Sequence, residues 1–147
     1  MLLVVDADVL VGQLTNFRGR ELILHSSLRL YMTAEAWQET QHKLPKRTEA
    51  MIRRGTRTPE QASLVLTAAL GTAHHAVIVR ERQFYSHEEA NARTRIMDQG
   101  DWSSLALALA LDAAIWTNDR HFFGCGCPVW RTDALRAVLQ RADVKPE

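Results

Sequence analysis

The fold class predicted for this chain is α/β: a central, mostly parallel sheet of about five strands, sandwiched between helical layers. Two observations predict it. Short apolar runs rich in β-branched residues alternate with longer stretches of helical spacing along the whole chain. Nothing between them reads as a linker, a repeat or a low-complexity tract, so residues 1–147 are taken as one domain, long enough to bury a sizeable core.

The elements follow in order. Leu2–Val5 (LLVV) is apolar without alternation, as in a strand buried on both faces, and ends at Asp6. Residues 8–16 and 19–28 have helical spacing, with Gly19 as the break between them. Leu30–Thr33 is the second strand. A helix follows from about Ala34 to Leu44, interrupted or ended by Pro45, and residues 47–54 can continue it. Thr58-Pro59-Glu60-Gln61 is a helix start, with an N-cap Thr, Pro in the first turn and Gln three residues after the cap. That helix is expected to reach Leu70 and stop at Gly71. His74 and His75 lead into a third strand, Ala76–Val79. Ser86-His87-Glu88-Glu89 reads as a capping box opening a helix to Arg95. Asp101 is expected to cap a Leu/Ala helix that ends near Leu111. Ala113–Thr117 and Val129–Arg131 are the fourth and fifth strands. A last helix covers 133–141, and the tail VKPE is frayed.

Composition narrows the class of partner. The 18 basic and 17 acidic residues leave a net charge of +1, so only local clustering argues for a polyanion. The two cysteines, Cys125 and Cys127, are too close for a framework disulfide, and a reducing cytoplasm is expected. The N-terminal run carries no basic segment and stops at Asp6, which argues against a signal peptide or a membrane span.

The acids carry the chemistry. In an open parallel sheet, ligands sit at the carboxyl ends of the strands. Asp6 follows the first strand and Asp119 the fourth. From Asp101 the chain descends a helix of roughly 16 Å at 1.5 Å per residue. It then climbs a strand of roughly the same length at 3.3 Å per residue. Asp101 and Asp119 therefore finish at one edge, the edge where Asp6 ends. Glu39 sits one to two turns into the helix that starts there. Four carboxylates at one edge repel one another unless a cation joins them. An all-oxygen site favours Mg²⁺ or Mn²⁺. Such an ion suits phosphodiester hydrolysis.

Four short stretches, in order, resemble the PIN-domain ribonucleases, including the VapC-type toxins of toxin–antitoxin pairs. They are VVDADVLV at 4–11, TAEAWQET at 33–40, DQGDWSSLALALAL at 98–111 and IWTNDRHF at 115–122. The ending FFGCGCPVW is similar to that of one subgroup, in which DxxDW and IWTxDxxFFG occur together. The resemblance implies a Mg²⁺- or Mn²⁺-dependent endoribonuclease on a PIN-like sandwich, leaving 5′-phosphate and 3′-hydroxyl ends. It implies an RNA substrate, a homodimer and, for a toxin, an inhibitory antitoxin protein. A housekeeping RNA-processing nuclease and a non-catalytic RNA- or partner-binding module are the alternatives. Asp6, Glu39, Asp101 and Asp119 are expected to hold the metal, with Asp98 as a further candidate. Glu35, one turn before Glu39, is an alternative to it. Asp8, Thr117 and Asn118 are expected to support the ligands.

Each of these residues also has an ordinary reading. Asp6 and Asp119 suit turns, Asp101 a cap, Glu39 a solvated helix face, and Asp98 in DQG a turn. Lys43, Lys46, Arg47, Arg53 and Arg54 form a basic run that suits either a solvated face or contacts to an RNA backbone. Trp37 and Trp102 suit core packing or base stacking. The six histidines show no metal-ligand spacing, although His121 lies close to Asp119. Cys125 and Cys127 lack the further ligands of a zinc site. The Leu/Ala run at 105–110 fits a buried helix or a dimer contact.

Overall fold

A computed structural model describes residues 1–144. Its strands are β1 (Leu2–Val5), β2 (Arg29–Thr33), β3 (Val77–Arg80), β4 (Ala114–Trp116) and β5 (Val129–Trp130). They form one five-stranded sheet in the order β3-β2-β1-β4-β5, every pairing parallel. The helices are α1 (Ala7–Leu14), α2 (Phe17–Ile23), α3 (Ala34–Arg53), α4 (Pro59–Ala76), α5 (Arg82–Tyr85), α6 (Glu89–Arg95), α7 (Trp102–Leu111) and α8 (Thr132–Asp143).

Alternation along the strands divides the core in two. Leu3, Val5, Leu30, Met32 and Trp116 face a layer made by α1, α2, α3, α4 and α8, which contributes Leu10, Leu22, Leu44, Ala69 and Leu135. Val4, Tyr31 and Ile115 face α5, α6 and α7, which contribute Tyr85, Ala92 and Leu105–Ala108. This is the α/β/α sandwich expected of the alternating pattern. Leu105, Ala106, Leu107 and Ala108 are fully buried within the one chain, so this part of the Leu/Ala run is core, while Leu109 and Ala110 are partly exposed. Trp102 is buried too, with Arg82 and Arg93 at 4.9 and 4.8 Å from its ring, and so is core rather than a stacking platform. Among the described residues no helix is long and apolar enough to cross a membrane.

Several boundaries differ from the sequence reading, each for a local reason. The break between the first two helices is at Thr15-Asn16, not Gly19, and the second helix ends at Ile23 instead of running to 28. Asn16 caps α2 by accepting from Gly19 N at 2.6 Å. Gly19 lies inside α2, where a Cβ would stand 2.0 Å from the Gln13 carbonyl oxygen. The glycine is there for close approach. Pro45 neither ends nor interrupts α3. Leu44 and Thr48 are buried on either side of it, and the Thr48 hydroxyl donates to the Pro45 carbonyl at 2.9 Å. Tertiary packing outweighs the lost amide. Gly71 does not stop α4, because buried Ala69 and Ala73 hold the helix across it. His74 and His75 are therefore helical, and β3 begins at Val77. The capping box at Thr58 and Gln61 is present as expected.

Two further caps are corrected. Ser86 has helical backbone angles (φ −62°, ψ −28°), because it continues directly from α5. It lacks the extended conformation of an N-cap, and no capping box forms. Asp101 makes no side-chain cap to α7. A 3₁₀ turn, Gln99–Asp101, feeds straight into that helix. Asp98 caps the turn, accepting from Gly100 N at 2.9 Å. At the far end of α7, Asp112 adopts the left-handed conformation (φ 52°, ψ 45°) that Asp tolerates better than most side chains, and the chain reverses into β4. Of the expected frayed tail, Val144 closes the described chain and residues 145–147 lie outside the described residues.

Gly19→Ala is expected to cost about 1–3 kcal/mol or more, through a clash that neither backbone can relieve without moving. Gly12→Ala, inside α1 with open space around its Cβ, is expected to gain about 0.5–1 kcal/mol. Urea unfolding of both variants beside wild type checks the pair. Equal midpoints would contradict the close-approach account.

Candidate metal centre at the carboxyl edge of the sheet

The carboxyl ends of β1, β2 and β4 open on one cleft of about 160 Å³. Asp6, Glu39, Asp101 and Asp119, the four acids expected from the sequence, all line it. So do Asp8 and Glu35, together with Ser103 and Ser104. The two serines were not anticipated. Their only signal is position, in the first turn of α7 directly after Asp101.

Asp6 leaves β1 and caps α1, accepting from Val9 N at 2.8 Å. Its other carboxylate oxygen accepts a short hydrogen bond from the Thr117 hydroxyl. Thr117 is fully buried just beyond β4, and its oxygen accepts in turn from Asp119 N at 3.0 Å. One hydroxyl therefore ties the ends of β1 and β4 and sets the turn that carries Asp119. Asp119 then accepts from His121 N at 2.9 Å, and His121 Nδ1 lies 3.3 Å from the same oxygen.

Asp101 is turned loose by the 3₁₀ entry to α7. Asp98, Asp101 and His121 each present one ligand atom within 4.8 Å of the others. Asp98 thus both turns the chain and stands beside Asp101, and His121 is at the acids, as its place near Asp119 in the sequence suggested. Asn118 does not line the cleft. Its amide oxygen accepts from Thr132 N at 3.0 Å and fastens the start of α8.

Electrostatics separates the inner acids from the rim. Burial, and to a smaller extent Asp8 and Asp119, pushes the Asp6 carboxyl above its usual range, against the donors Thr117 and Val9. Burial first, then Asp98, Asp119 and Asp6, pushes Asp101 up to about 6. At the rim the Lys43 ammonium lies 2.6 Å from Glu39 and 2.7 Å from Asp8. Hydrogen bonds to Asp8 and Glu39 raise its pKa in return. Burial first, and the neighbouring acids after it, therefore disfavour the ionised forms of Asp6 and Asp101. The donors at this edge are carboxylate oxygens with the His121 imidazole beside them, a set that fits a divalent cation.

A basic groove of about 520 Å³ adjoins this rim. Lys43, Lys46, Arg47 and Arg54 line it along α3, with Asp8 and Val11 of α1 opposite. Positions 43, 46, 47, 50 and 54 share one helical face, and Arg53 falls off it. Cys125 and Cys127 remain free, and burial raises the Cys127 thiol to about 11, so Cys127 is not poised as a thiolate ligand.

The family model described as PIN domain matches residues 4–140. No curated protein matches the chain.

A raised carboxyl pKa favours the protonated form in the folded state. Asp101 therefore contributes stability that is full below about pH 4 and lost as pH rises through about 6, and Asp6 acts in the same direction. In EDTA, Asp101→Asn is expected to be more stable than wild type at pH 7 by about 1 kcal/mol once solvent screening is allowed for. The advantage is expected to vanish at pH 4. Thermal unfolding across pH 4–7 measures the difference, and a gap that does not grow with pH counts against the strained cluster.

Proposed function

The chain belongs to the PIN-domain family, and from that premise we propose that it is a metal-dependent endoribonuclease, the VapC-like toxin of a toxin–antitoxin pair. PIN domains are as a class metal-dependent nucleases. The observation that carries the reading to this chain is the meeting of Asp6, Glu39, Asp101 and Asp119 in one cleft. The paired motifs DQGDW and IWTNDRHFFG resemble those of one PIN subgroup and support the nuclease reading.

Asp6, Asp101 and Asp119 would hold Mg²⁺ or Mn²⁺, with Glu39 and Asp98 within reach of the same cleft. The ion, when bound, supplies Lewis acidity and lowers the pKa of water at the site. The chain's residues do the rest. The Thr117 hydroxyl fixes the rotamer of Asp6 and the position of Asp119, so both carboxylates are aimed before any ion arrives. Lys46, Arg47 and Arg54 offer charge to the backbone phosphates of an RNA strand leading to the cleft. No side-chain nucleophile is required for phosphodiester hydrolysis of this kind.

Single-stranded and structured RNA incubated with Mg²⁺ or Mn²⁺ is expected to be cut, leaving 5′-phosphate ends. EDTA, Asp6→Asn and Asp101→Asn are each expected to lower the rate by at least about 100-fold, the scale on which one electrostatic element of a site contributes. Cleavage that survives EDTA or either substitution would sink the mechanism. A wild type that binds RNA without cutting it would favour a binding module. Co-expression with the product of a short upstream reading frame, if one exists, separates toxin from processing enzyme through suppression of cleavage.

A further inference from the structure

We propose that Lys43 is the resident counter-cation of the cleft's outer rim, and that it keeps Glu39 out of the first divalent-ion site. The inference rests on the metal-nuclease reading above and refines its ligand set. Lys43 Nζ stands 2.6 Å from Glu39 Oε1 and 2.7 Å from Asp8 Oδ1. Glu39 and Lys43 are one turn apart on α3, in the favourable order with the acid toward the N-terminus. Asp8 reaches the same ammonium from the first turn of α1. Both acids line the cleft, so two of its carboxylates already share a full positive charge.

The inner acids are treated differently. Asp6 receives only neutral donors, the Val9 amide and the Thr117 hydroxyl. Asp101 makes no capping bond. Asp119 meets the amide and the imidazole of His121. The cluster thus divides into a rim neutralised by lysine and three acids, Asp6, Asp101 and Asp119, that meet no lysine or arginine among the described residues. A dication gains most where negative charge is uncompensated, so the triad takes the first ion. Recruiting Glu39 requires displacing Lys43. The Lys43 and Glu39 side chains are 38% and 50% exposed, so the pair is weak enough to yield and strong enough to matter. The effect on ion affinity is about tenfold or less.

Manganese titration of the full chain, read by the loss of the free-ion electron paramagnetic resonance signal, tests this without reference to cleavage. Glu39→Gln is expected to change wild-type affinity by less than about threefold, since the carboxylate it removes is already occupied. Asp101→Asn is expected to weaken binding by more than about tenfold, a multiple of what rim neutralisation is worth. Lys43→Met is expected to tighten binding, and Glu39→Gln in that background is expected to abolish the gain. Lys43→Arg is expected to behave as wild type. Should Lys43→Met not fold, as judged by circular dichroism, the comparison of Glu39→Gln with Asp101→Asn decides alone. Equal losses from those two, or a folded Lys43→Met that binds no tighter, would overturn the inference while leaving the metal centre standing. A wild type that binds no manganese would overturn the metal centre and the inference together.

Discussion

Each parallel pairing in this sheet obliges the chain to travel from the carboxyl edge back to the amino edge before the next strand begins, and it travels through helices. Every strand therefore ends, and every crossover begins, on one side of the molecule. Asp6 at the end of β1, Glu39 in the helix after β2, Asp101 at the head of α7 and Asp119 beyond β4 come from four separate stretches of chain. None needs a special excursion to reach the others. The register of β1 with β4, with Val5 opposite Trp116, brings Asp6 and Thr117 level, and the hydroxyl-to-carboxylate bond follows from that.

A cluster of this kind works against the fold that carries it. Burial raises Asp6 and Asp101, and their neighbours raise them further. The hydrophobic layers on both sides of the sheet offset that cost, and the supports of the acids are mostly neutral. An amide and a hydroxyl hold Asp6, and an amide holds Asp119. Neutral donors fix a carboxylate's direction without cancelling its charge, which leaves the charge for a cation. Among the described residues the ammonium in contact with the acids is that of Lys43, at the seam between the acid cleft and the basic groove. Attraction for an ion and attraction for a phosphate backbone thus lie side by side, with α3 supplying residues to both.

Much of this was legible in the residues, and the misreadings have a common cause. The Thr58 capping box formed as written, because all its donors and acceptors lie within four consecutive residues. Ser86 failed as a cap with a similar local pattern, because the short helix before it sets its backbone. Pro45 and Gly71 looked like stops and are not, since buried Leu44, Ala69 and Ala73 carry those helices through. Gly19 looked like a break and is a contact. In each case the packing or the backbone of a neighbouring segment outweighed a local preference worth about 1–3 kcal/mol.

What the sequence by itself determined is the alternation of apolar strands and helices, and the placing of an acid at each strand end or helix start. Those depend on periodicity and on separation along the chain, which are local quantities. What only the tertiary structure decided is which partners each acid meets. Asp98 rather than Asp101 caps the entry to α7, Thr117 bonds Asp6 from 111 residues away, and Lys43 bridges Glu39 to Asp8. A side chain's partner depends on direction and distance across elements, and these exist only once the helices have packed on the sheet.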